Sequence, residues 1–213
     1  MTAAARLAEK KFVFDFGRVV FRWEPADVLQ QVLPERARDS TSAAHWVAQI
    51  FQSYGGDWGE YDRGTVSPAE LVQRIATRTG LHPEEVQRVV RAVPLALTPL
   101  PATVAFLERL HAAGRRLYYL SNMPAPMADH LQATHGFLRL FSDGVFSGRV
   151  HHNKPEPAIY EIAAQRFGHP VNELVFLDDH PPNIEAARAL GWHGRVFHHA
   201  AQAEAELRAA GWL

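Results

Sequence analysis

The chain alternates short apolar runs with longer amphipathic stretches. The first apolar run, from Phe12 to Phe16, predicts a strand, and further strands are predicted in the segments RLYYLSN, FSDGVFSG, ELVFLDD and HGRVFHH. Helices are predicted between and after these later strands, at 101–113, 124–134, 155–167, 183–190 and 200–210. Strands that alternate with helices indicate an α/β fold built on a doubly wound, Rossmann-like parallel sheet.

A different pattern fills the region between the first strand and residue 98. Helices are predicted at 25–33, 42–54, 68–79 and 83–93, and the Gly-rich segment GGDWGEYDRG is predicted to be a loop. This region is too long for a simple crossover between parallel strands. We therefore predict a catalytic α/β core formed by residues 1–22 and 99–213, with an inserted all-helical cap formed by residues 23–98.

Polar residues stand near the ends of these predicted strands. They are Asp15, the pair Ser121 and Asn122, the pair Asp178 and Asp179, and Lys154, which precedes a helix. Each of them alone has an ordinary structural interpretation as a helix cap, a turn residue or a solvated lysine. Because the carboxyl ends of parallel strands meet at one edge of the sheet, we expect them to converge on a single crevice.

The order and spacing of these clusters resemble the haloacid dehalogenase superfamily over nearly the whole chain. FDFGRVV is similar to the first motif of that superfamily, LSN to the second, KPEPAIY to the third and LDDHPPNIEAA to the fourth. The resemblance implies a Mg²⁺-dependent phosphatase that hydrolyses a small phosphate monoester through an aspartyl-phosphate on Asp15. Sugar phosphates are the leading substrate class on the same resemblance.

The resemblance also assigns roles to single residues. It implies that Asp15, the Gly17 carbonyl and Asp179 bind the metal ion directly, and that Asp178 binds it directly or through water. The expected substrate contacts come from Ser121, Asn122, Lys154 and Arg18, with Lys154 also neutralising charge during the reaction. Physical chemistry supports this arrangement, because a carboxylate that attacks a phosphate meets charge repulsion that a cation offsets. Oxygen ligands favour Mg²⁺ over softer metals.

The first motif departs from the common phosphatase pattern. Most phosphatases of the superfamily have a second aspartate two residues after the nucleophile, where this chain has Gly17. That aspartate protonates the leaving alcohol, and such assistance contributes about 10² to 10⁴ in rate. The chain resembles the branch with an Asp-x-Gly first motif, which includes sugar-1-phosphate phosphatases, and a cap side chain, a water or a substrate hydroxyl would then replace the missing acid.

Two other hypotheses remain open. A 2-haloacid dehalogenase needs neither metal nor acid, but its fourth motif lacks the paired acids found at Asp178 and Asp179. A catalytically weak regulatory or binding member of the superfamily is the other alternative. If a substitute acid exists, Glu60, Asp62 and Arg63 of the predicted cap loop are the candidates; the competing interpretation is a hydrophilic loop in which Asp62 and Arg63 pair at the surface.

Composition limits the partners. The 213 residues carry 22 basic and 23 acidic side chains, for a net charge of −1, which argues against nucleic acid or a membrane surface as partner. The chain has no cysteine, which excludes disulfides and fits the cytoplasm. Charged residues interrupt the apolar positions before Phe12, so we expect a short leader there. A small phosphorylated molecule is the expected partner, and the oligomeric state is left open.

Overall fold

The computed structural model describes residues 9–213, and the expected short leader lies outside the described residues. Five parallel strands form the central sheet: β1 (Lys11–Phe14), β4 (Leu117–Ser121), β5 (Asp143–Phe146), β6 (Leu174–Asp178) and β7 (His193–Val196). Their spatial order is β5-β4-β1-β6-β7. The chain leaves β1 toward β4 on one side and later adds β6 on the other, so the carboxyl end of β1 lies at a topological switch point.

Helices cover both faces of this sheet. Their bounds are α6 (Pro101–Ala112), α7 (Ala125–Thr134), α8 (Ser147–Val150), α9 (Pro157–Phe167), α10 (Pro181–Ala189) and α11 (Ala200–Ala209). Side chains alternate along β1: Phe12 and Phe14 pack into one hydrophobic cluster with Phe106, while Val13 packs into the other with Ile159. Because both faces of the sheet are buried, the interiors of β1, β4 and β6 consist of apolar and aromatic residues, and the charged or hydroxyl side chains Lys11, Ser121 and Asp178 stand at strand ends.

A helical insertion separates β1 from the rest of the sheet. It consists of α1 (Pro25–Val32), α2 (Ser40–Phe51), α3 (Gly56–Arg63), α4 (Pro68–Thr79) and α5 (Pro83–Ala96), with a 3₁₀ turn at Gln52–Tyr54. Two short strands, β2 (Phe21–Arg22) and β3 (Thr98–Pro99), pair antiparallel at the two ends of the insertion. Local capping explains two of the helix starts, since Asp39 and Ser67 each form a capping box before α2 and α4.

The predicted fold class is confirmed, with differences in detail. The segment predicted as a loop, GGDWGEYDRG, is instead largely the helix α3, because Trp58 and Tyr61 bury their rings in the hydrophobic interior and outweigh the low helix propensity of glycine. The two-residue strands β2 and β3 were not predicted. No helix within residues 9–213 has both the length and the apolar character required to cross a bilayer.

Candidate active site

The register of the sheet brings the first and fourth motifs together. Phe14 of β1 lies opposite Leu177 of β6, so the next residues along the two strands, Asp15 and Asp178, are neighbours. The Asp15 amide continues the pairing by donating to the Leu177 carbonyl at 2.9 Å. Both carboxylates are therefore fixed by strands that are buried on either side.

Lys154 joins these two carboxylates. Its ammonium lies 2.8 Å from Asp15 Oδ1 and 2.6 Å from Asp178 Oδ2. The lysine side chain is 2% exposed and that of Asp178 is fully buried, so water screens this cluster weakly. Burial alone would lower the pKa of Lys154, but the attraction of Asp15 and Asp178 outweighs it and the pKa is raised, so the lysine stays charged.

The oxygens of Asp178 are already engaged within the protein. Oδ1 accepts from the His180 amide at 2.8 Å. Asn183 Nδ2 donates to Oδ1 at 3.1 Å and to Oδ2 at 3.0 Å, and Oδ2 also accepts from Lys154. Sequence reasoning missed Asn183, although its place in the fourth-motif segment PPNIEAA was a signal that could have found it. Asp178 therefore has little capacity left for a further partner.

Three carboxylates surround one point at this edge of the sheet. Oxygen atoms of Asp15, Asp178 and Asp179 all lie within 4.8 Å of one another. Burial raises the pKa of Asp15 against the opposing pull of Lys154, with repulsion from Asp178 and Asp179 adding to the rise. Burial and the charge of Asp178 raise the pKa of Asp179 as well. A single ammonium thus leaves an excess of negative charge, and this donor set fits a divalent cation bound by oxygen.

The second motif is adjacent to Lys154. Ser121 ends β4 and is buried, at 2% exposed, at the same edge of the sheet. Asn122 holds the main chain of Lys154, because its Nδ2 donates to the Lys154 carbonyl at 2.9 Å and its Oδ1 accepts from the Lys154 amide at 2.7 Å. That Asn122 also contacts substrate stays a prediction.

The residues after the nucleophile form a tight turn. Gly17 forms a β-bridge with Phe21, and the Arg18 amide donates to the Phe21 carbonyl at 2.7 Å. The Arg18 side chain, predicted to contact substrate, donates to the Trp23 carbonyl at 3.1 Å and lies 3.5 Å from Glu24. The guanidinium is half exposed, so it remains accessible at this edge.

The helical insertion contacts the core beside the third motif. Ser147 donates to the Asp62 carbonyl at 2.5 Å, and Asn153 donates to the Gly59 carbonyl at 2.8 Å. Arg63 forms a bidentate ion pair with Glu156. The interpretation in which Asp62 and Arg63 pair at the surface is therefore wrong, because Arg63 reaches across to the core and Asp62 is only 5% exposed.

Asp62 and Glu60 differ in their surroundings. Burial raises the pKa of Asp62 to about 8, opposed in part by the Trp58 indole. Glu60 is more exposed and accepts a hydrogen bond from Thr65 at 2.6 Å. Arg63 thus joins the insertion to the core, and the hypothesis that a side chain of this segment replaces the missing acid stays a prediction.

Solved structures share this fold. A haloacid dehalogenase family enzyme from Bacteroides thetaiotaomicron, solved in complex with magnesium and inorganic phosphate, superposes with a TM-score of 0.69 at 19% identity, covering 88% of this chain and 93% of that one. The L-2-haloacid dehalogenase of Xanthobacter autotrophicus superposes with a TM-score of 0.65 at 20% identity, covering 95% and 83%. At these identities the likeness concerns the fold alone, and it does not separate the two chemistries.

Curated relatives include phosphatases. The sesquiterpene phosphatase astK of Aspergillus oryzae is 27% identical over 87% of this chain and 88% of its own length. The drimenol cyclase drtB of Aspergillus calidoustus is 27% identical over 93% of this chain, which spans only 36% of that protein. The hexitol phosphatase A of Escherichia coli is 32% identical over 46% of this chain and 44% of its own length.

The motifs and the comparisons agree on the family. Residues 9–191 match the haloacid dehalogenase-like hydrolase family, a range that contains all four motifs and the helical insertion. The chain therefore belongs to the haloacid dehalogenase-like hydrolases and is an enzyme of that family.

Proposed function

We propose that this enzyme is a Mg²⁺-dependent phosphatase that hydrolyses a small phosphate monoester through an aspartyl-phosphate on Asp15. The observation that carries the proposal is the cluster of three carboxylates whose oxygens lie within 4.8 Å of one another beside one buried lysine. Attack on carbon in a haloacid requires no such excess of negative charge. A divalent cation and a phosphate group together account for it.

Asp15 and Asp179 are the residues proposed to hold the cation, together with the Gly17 carbonyl. Asp178 is saturated by Lys154, Asn183 and the His180 amide, which favours contact through water over direct ligation. When bound, the cation would offset the charge of the carboxylates and of the phosphate. Side chains of the protein are proposed to carry out the nucleophilic attack and to bind the phosphate group.

In the proposed reaction an Asp15 oxygen attacks phosphorus while the bond from phosphorus to the alcohol oxygen breaks. Water then attacks the same phosphorus, which releases inorganic phosphate and restores the carboxylate. Lys154 stabilises charge on the nucleophile and the transferring group, and Ser121 is proposed to donate to a phosphoryl oxygen. Both side chains are buried and in place before substrate binds. Such preorganised contacts are the main source of catalysis in phosphoryl transfer.

The helical insertion is proposed to act as a cap, with residues 23–98 as the cap and residues 1–22 and 99–213 as the core. Its contacts with Asn153 and Glu156 flank Lys154 in the sequence, and a third contact is made with Ser147 of α8. Opening of the insertion would admit substrate, and closure would exclude water from the carboxylates. A location in the cytoplasm remains a prediction from composition.

Two classes of alcohol are proposed for the substrate. The motifs suggest a sugar phosphate, and the similarity to a hexitol phosphatase is compatible with that class. The similarity to a sesquiterpene phosphatase spans far more of the chain, and the exposed ring of Tyr54 beside Trp23 offers an apolar surface. An isoprenoid monophosphate is therefore the second substrate class to be tested.

The experiment offers the purified protein para-nitrophenyl phosphate, a hexitol phosphate and a C15 isoprenoid monophosphate, each with Mg²⁺ and with EDTA. We expect phosphate release that requires the metal and disappears in Asp15→Asn. Chloride release from 2-chloropropionate without metal would instead establish the dehalogenase. Absence of turnover in all these assays would favour a regulatory or binding protein.

A further inference from the structure

The space in front of Gly17 is occupied by an aromatic side chain. A Cβ atom added at Gly17 would lie 4.0 Å from both Cβ and Cδ1 of Trp23. The tight turn that bridges Gly17 to Phe21 returns the chain so that Trp23 faces the residue two places after the nucleophile. The indole ring therefore lies in the direction that a side chain at position 17 would take.

Trp23 holds the hydroxyl group of Tyr54 beside this space. The indole Nε1 donates to the Tyr54 oxygen at 2.6 Å. An indole N–H can only donate, so the phenolic hydrogen of Tyr54 is not used in this contact. Among the side-chain hydrogen bonds of residues 9–213, Tyr54 takes part only as this acceptor, and its side chain is 43% exposed. Its hydrogen is thus available to a ligand.

The backbone that carries Tyr54 is strained. Gln52, Ser53 and Tyr54 have φ angles of 49°, 50° and 62°, which places three consecutive residues other than glycine in the left-handed region. This conformation costs roughly 1–2 kcal/mol per residue. The Gln52 side chain, which accepts from the Asp57 amide at 3.0 Å, stabilises the turn. A strained turn that the surrounding structure enforces is typical of functional segments.

The helix that follows fits closely around this turn. A Cβ atom at Gly59 would lie 2.4 Å from the Tyr54 carbonyl oxygen, so α3 approaches the strained turn more closely than any larger residue permits. The ring of Phe51 packs between Trp23, at a centroid distance of 5.6 Å, and Trp58, at 4.5 Å. The Phe51 ring, whose centroid lies 6.3 Å from that of Tyr54, is therefore held between two indoles beside the phenol.

The charges that face Tyr54 come from both parts of the molecule. Burial raises the pKa of the phenol, and the negative charges of Asp62 and Asp179 add to the rise, while Trp23 and Arg18 act against it. Trp23 provides the geometric link to the carboxyl edge of the sheet, because it contacts position 17 and donates to Tyr54. The phenol is protonated at neutral pH, as a proton donor must be.

We propose that Tyr54 is a catalytic residue that donates its hydroxyl proton to the leaving oxygen of the phosphate ester, with Trp23 as its positioning residue. This inference rests on the proposed phosphatase function. Asp15 and Lys154 are committed to each other, and Gly17 has no side chain to offer. The Tyr54 hydroxyl accepts from the Trp23 indole, whose Cδ1 lies 4.0 Å from the position of a Cβ atom at Gly17, and it has a hydrogen to give.

The proposed step balances over the two halves of the reaction. As the bond from phosphorus to the ester oxygen breaks, its electron pair stays on that oxygen, which takes the phenolic proton and leaves as the alcohol. The tyrosinate then accepts a proton from the water that attacks the aspartyl-phosphate. Tyr54 returns to its initial state, and the products are one alcohol and one inorganic phosphate.

The test compares two esters in the presence of Mg²⁺. Hexyl phosphate has a strongly basic leaving alkoxide that needs a proton, whereas para-nitrophenyl phosphate has a stable leaving phenolate. We expect Tyr54→Phe to lower kcat/KM for hexyl phosphate on the order of 10²-fold, the lower range of general acid catalysis. For the nitrophenyl ester the decrease should be less than about tenfold, the value of one ordinary hydrogen bond.

Two further variants separate catalysis from structure. Tyr61→Phe removes another tyrosine hydroxyl of the insertion, whose pKa is raised by burial and by the charge of Asp62. This variant should keep the wild-type ratio of kcat/KM values for the two esters. Trp23→Phe keeps a ring but loses the N–H, and should shift the ratio in the same direction as Tyr54→Phe by up to about tenfold. It also serves as the test if Tyr54→Phe does not fold.

The outcomes distinguish this inference from the function on which it rests. If the wild type with Mg²⁺ hydrolyses neither these two esters nor the hexitol and isoprenoid monophosphates, the proposed phosphatase fails and this inference fails with it. If the wild type hydrolyses both esters and Tyr54→Phe slows them equally, or slows neither, only the role of Tyr54 is overturned. A wild type that accepts the aryl ester but no alkyl ester also overturns that role.

Discussion

The carboxyl edge of the sheet and the helical insertion fix their functional groups in opposite ways. At the sheet edge, Lys154 lies between two carboxylates, and the second of these, Asp178, is held further by Asn183 and a backbone amide. In the insertion, a strained turn and one hydrogen bond hold Tyr54 in place. Asp62 is buried there, and burial is the main cause of its raised pKa. The edge is suited to a reaction common to many substrates, whereas the insertion leaves room for variation.

Loss of the Lys154 ammonium, which Asp15 and Asp178 share, should have the largest effect. Lys154→Met would leave Asp15 and Asp178 buried without their ammonium, which typically costs 3–5 kcal/mol of stability, about what breaking a buried ion pair costs. We also expect kcat with para-nitrophenyl phosphate to fall on the order of 10³-fold, because a preorganised charge is lost. Thermal melts and steady-state kinetics measure the two effects.

Lys10→Met is the matched control, since Lys10 bonds the Asn172 carbonyl at 2.7 Å at the opposite end of β1. Its stability should change by no more than about 1 kcal/mol. If Lys154→Met kept its activity within about tenfold of the wild type, the assignment of the lysine to phosphoryl transfer would be wrong.

Asn122→Ala should have a smaller effect, and one that distinguishes positioning from substrate binding. The variant loses two hydrogen bonds to the main chain of Lys154, worth about 1–3 kcal/mol of unfolding free energy. Because the lysine loop is displaced, we expect kcat to decrease more than KM changes. A higher KM with an unaltered kcat would instead support the prediction that Asn122 binds substrate.

The sequence revealed the sheet edge far better than the insertion. Asp15, Ser121 and Asp178 could be placed because short apolar runs fix where each strand ends, and the topology of a parallel sheet does the rest. The GGDWGEYDRG segment was misjudged because glycine argues locally for a loop, while Trp58 and Tyr61 stabilise a helix only through distant packing.

Pairings across the fold were equally hidden. Tyr54 meets Trp23 through the tertiary fold, and Arg63 meets Glu156 across the two parts of the molecule. No local periodicity encodes contacts of that kind. The two-residue strands β2 and β3 are too short to leave an alternating pattern, so their pairing was also beyond sequence reasoning.

Asp62→Asn should reveal the buried acid of the insertion through pH. The pKa of Asp62 is about 8 in the folded protein, whereas an unfolded aspartate titrates near 3.9. Between those values the folded state holds a proton that the unfolded state has lost, so the free energy of unfolding falls as pH rises from about 4 to about 8 and then levels off. Asparagine does not ionise, so Asp62→Asn does not lose stability in this way as pH rises.

We therefore expect Asp62→Asn to exceed the wild type in stability at pH 8 and to approach it toward pH 4, with a difference that grows by at most about 1.4 kcal/mol per pH unit. Denaturant unfolding across this range measures the difference. Asp27→Asn, at an exposed aspartate that pairs with Arg22, is the control and should follow the wild-type slope. Parallel curves for Asp62→Asn and the wild type would show that burial of Asp62 does not oppose its ionisation.

The smallest expected effect concerns the ion pair that joins insertion and core. Arg63→Met removes the bidentate contact with Glu156. The Arg63 side chain is 25% exposed and that of Glu156 is 35% exposed, so we expect the free energy of unfolding to fall by about 1 kcal/mol or less. Asn153→Ala, which removes the bond to the Gly59 carbonyl from a side chain that is 6% exposed, should cost more, about 1–3 kcal/mol. If melts at several salt concentrations instead show the larger and salt-dependent loss for Arg63→Met, charge rather than buried hydrogen bonding holds the insertion against the core.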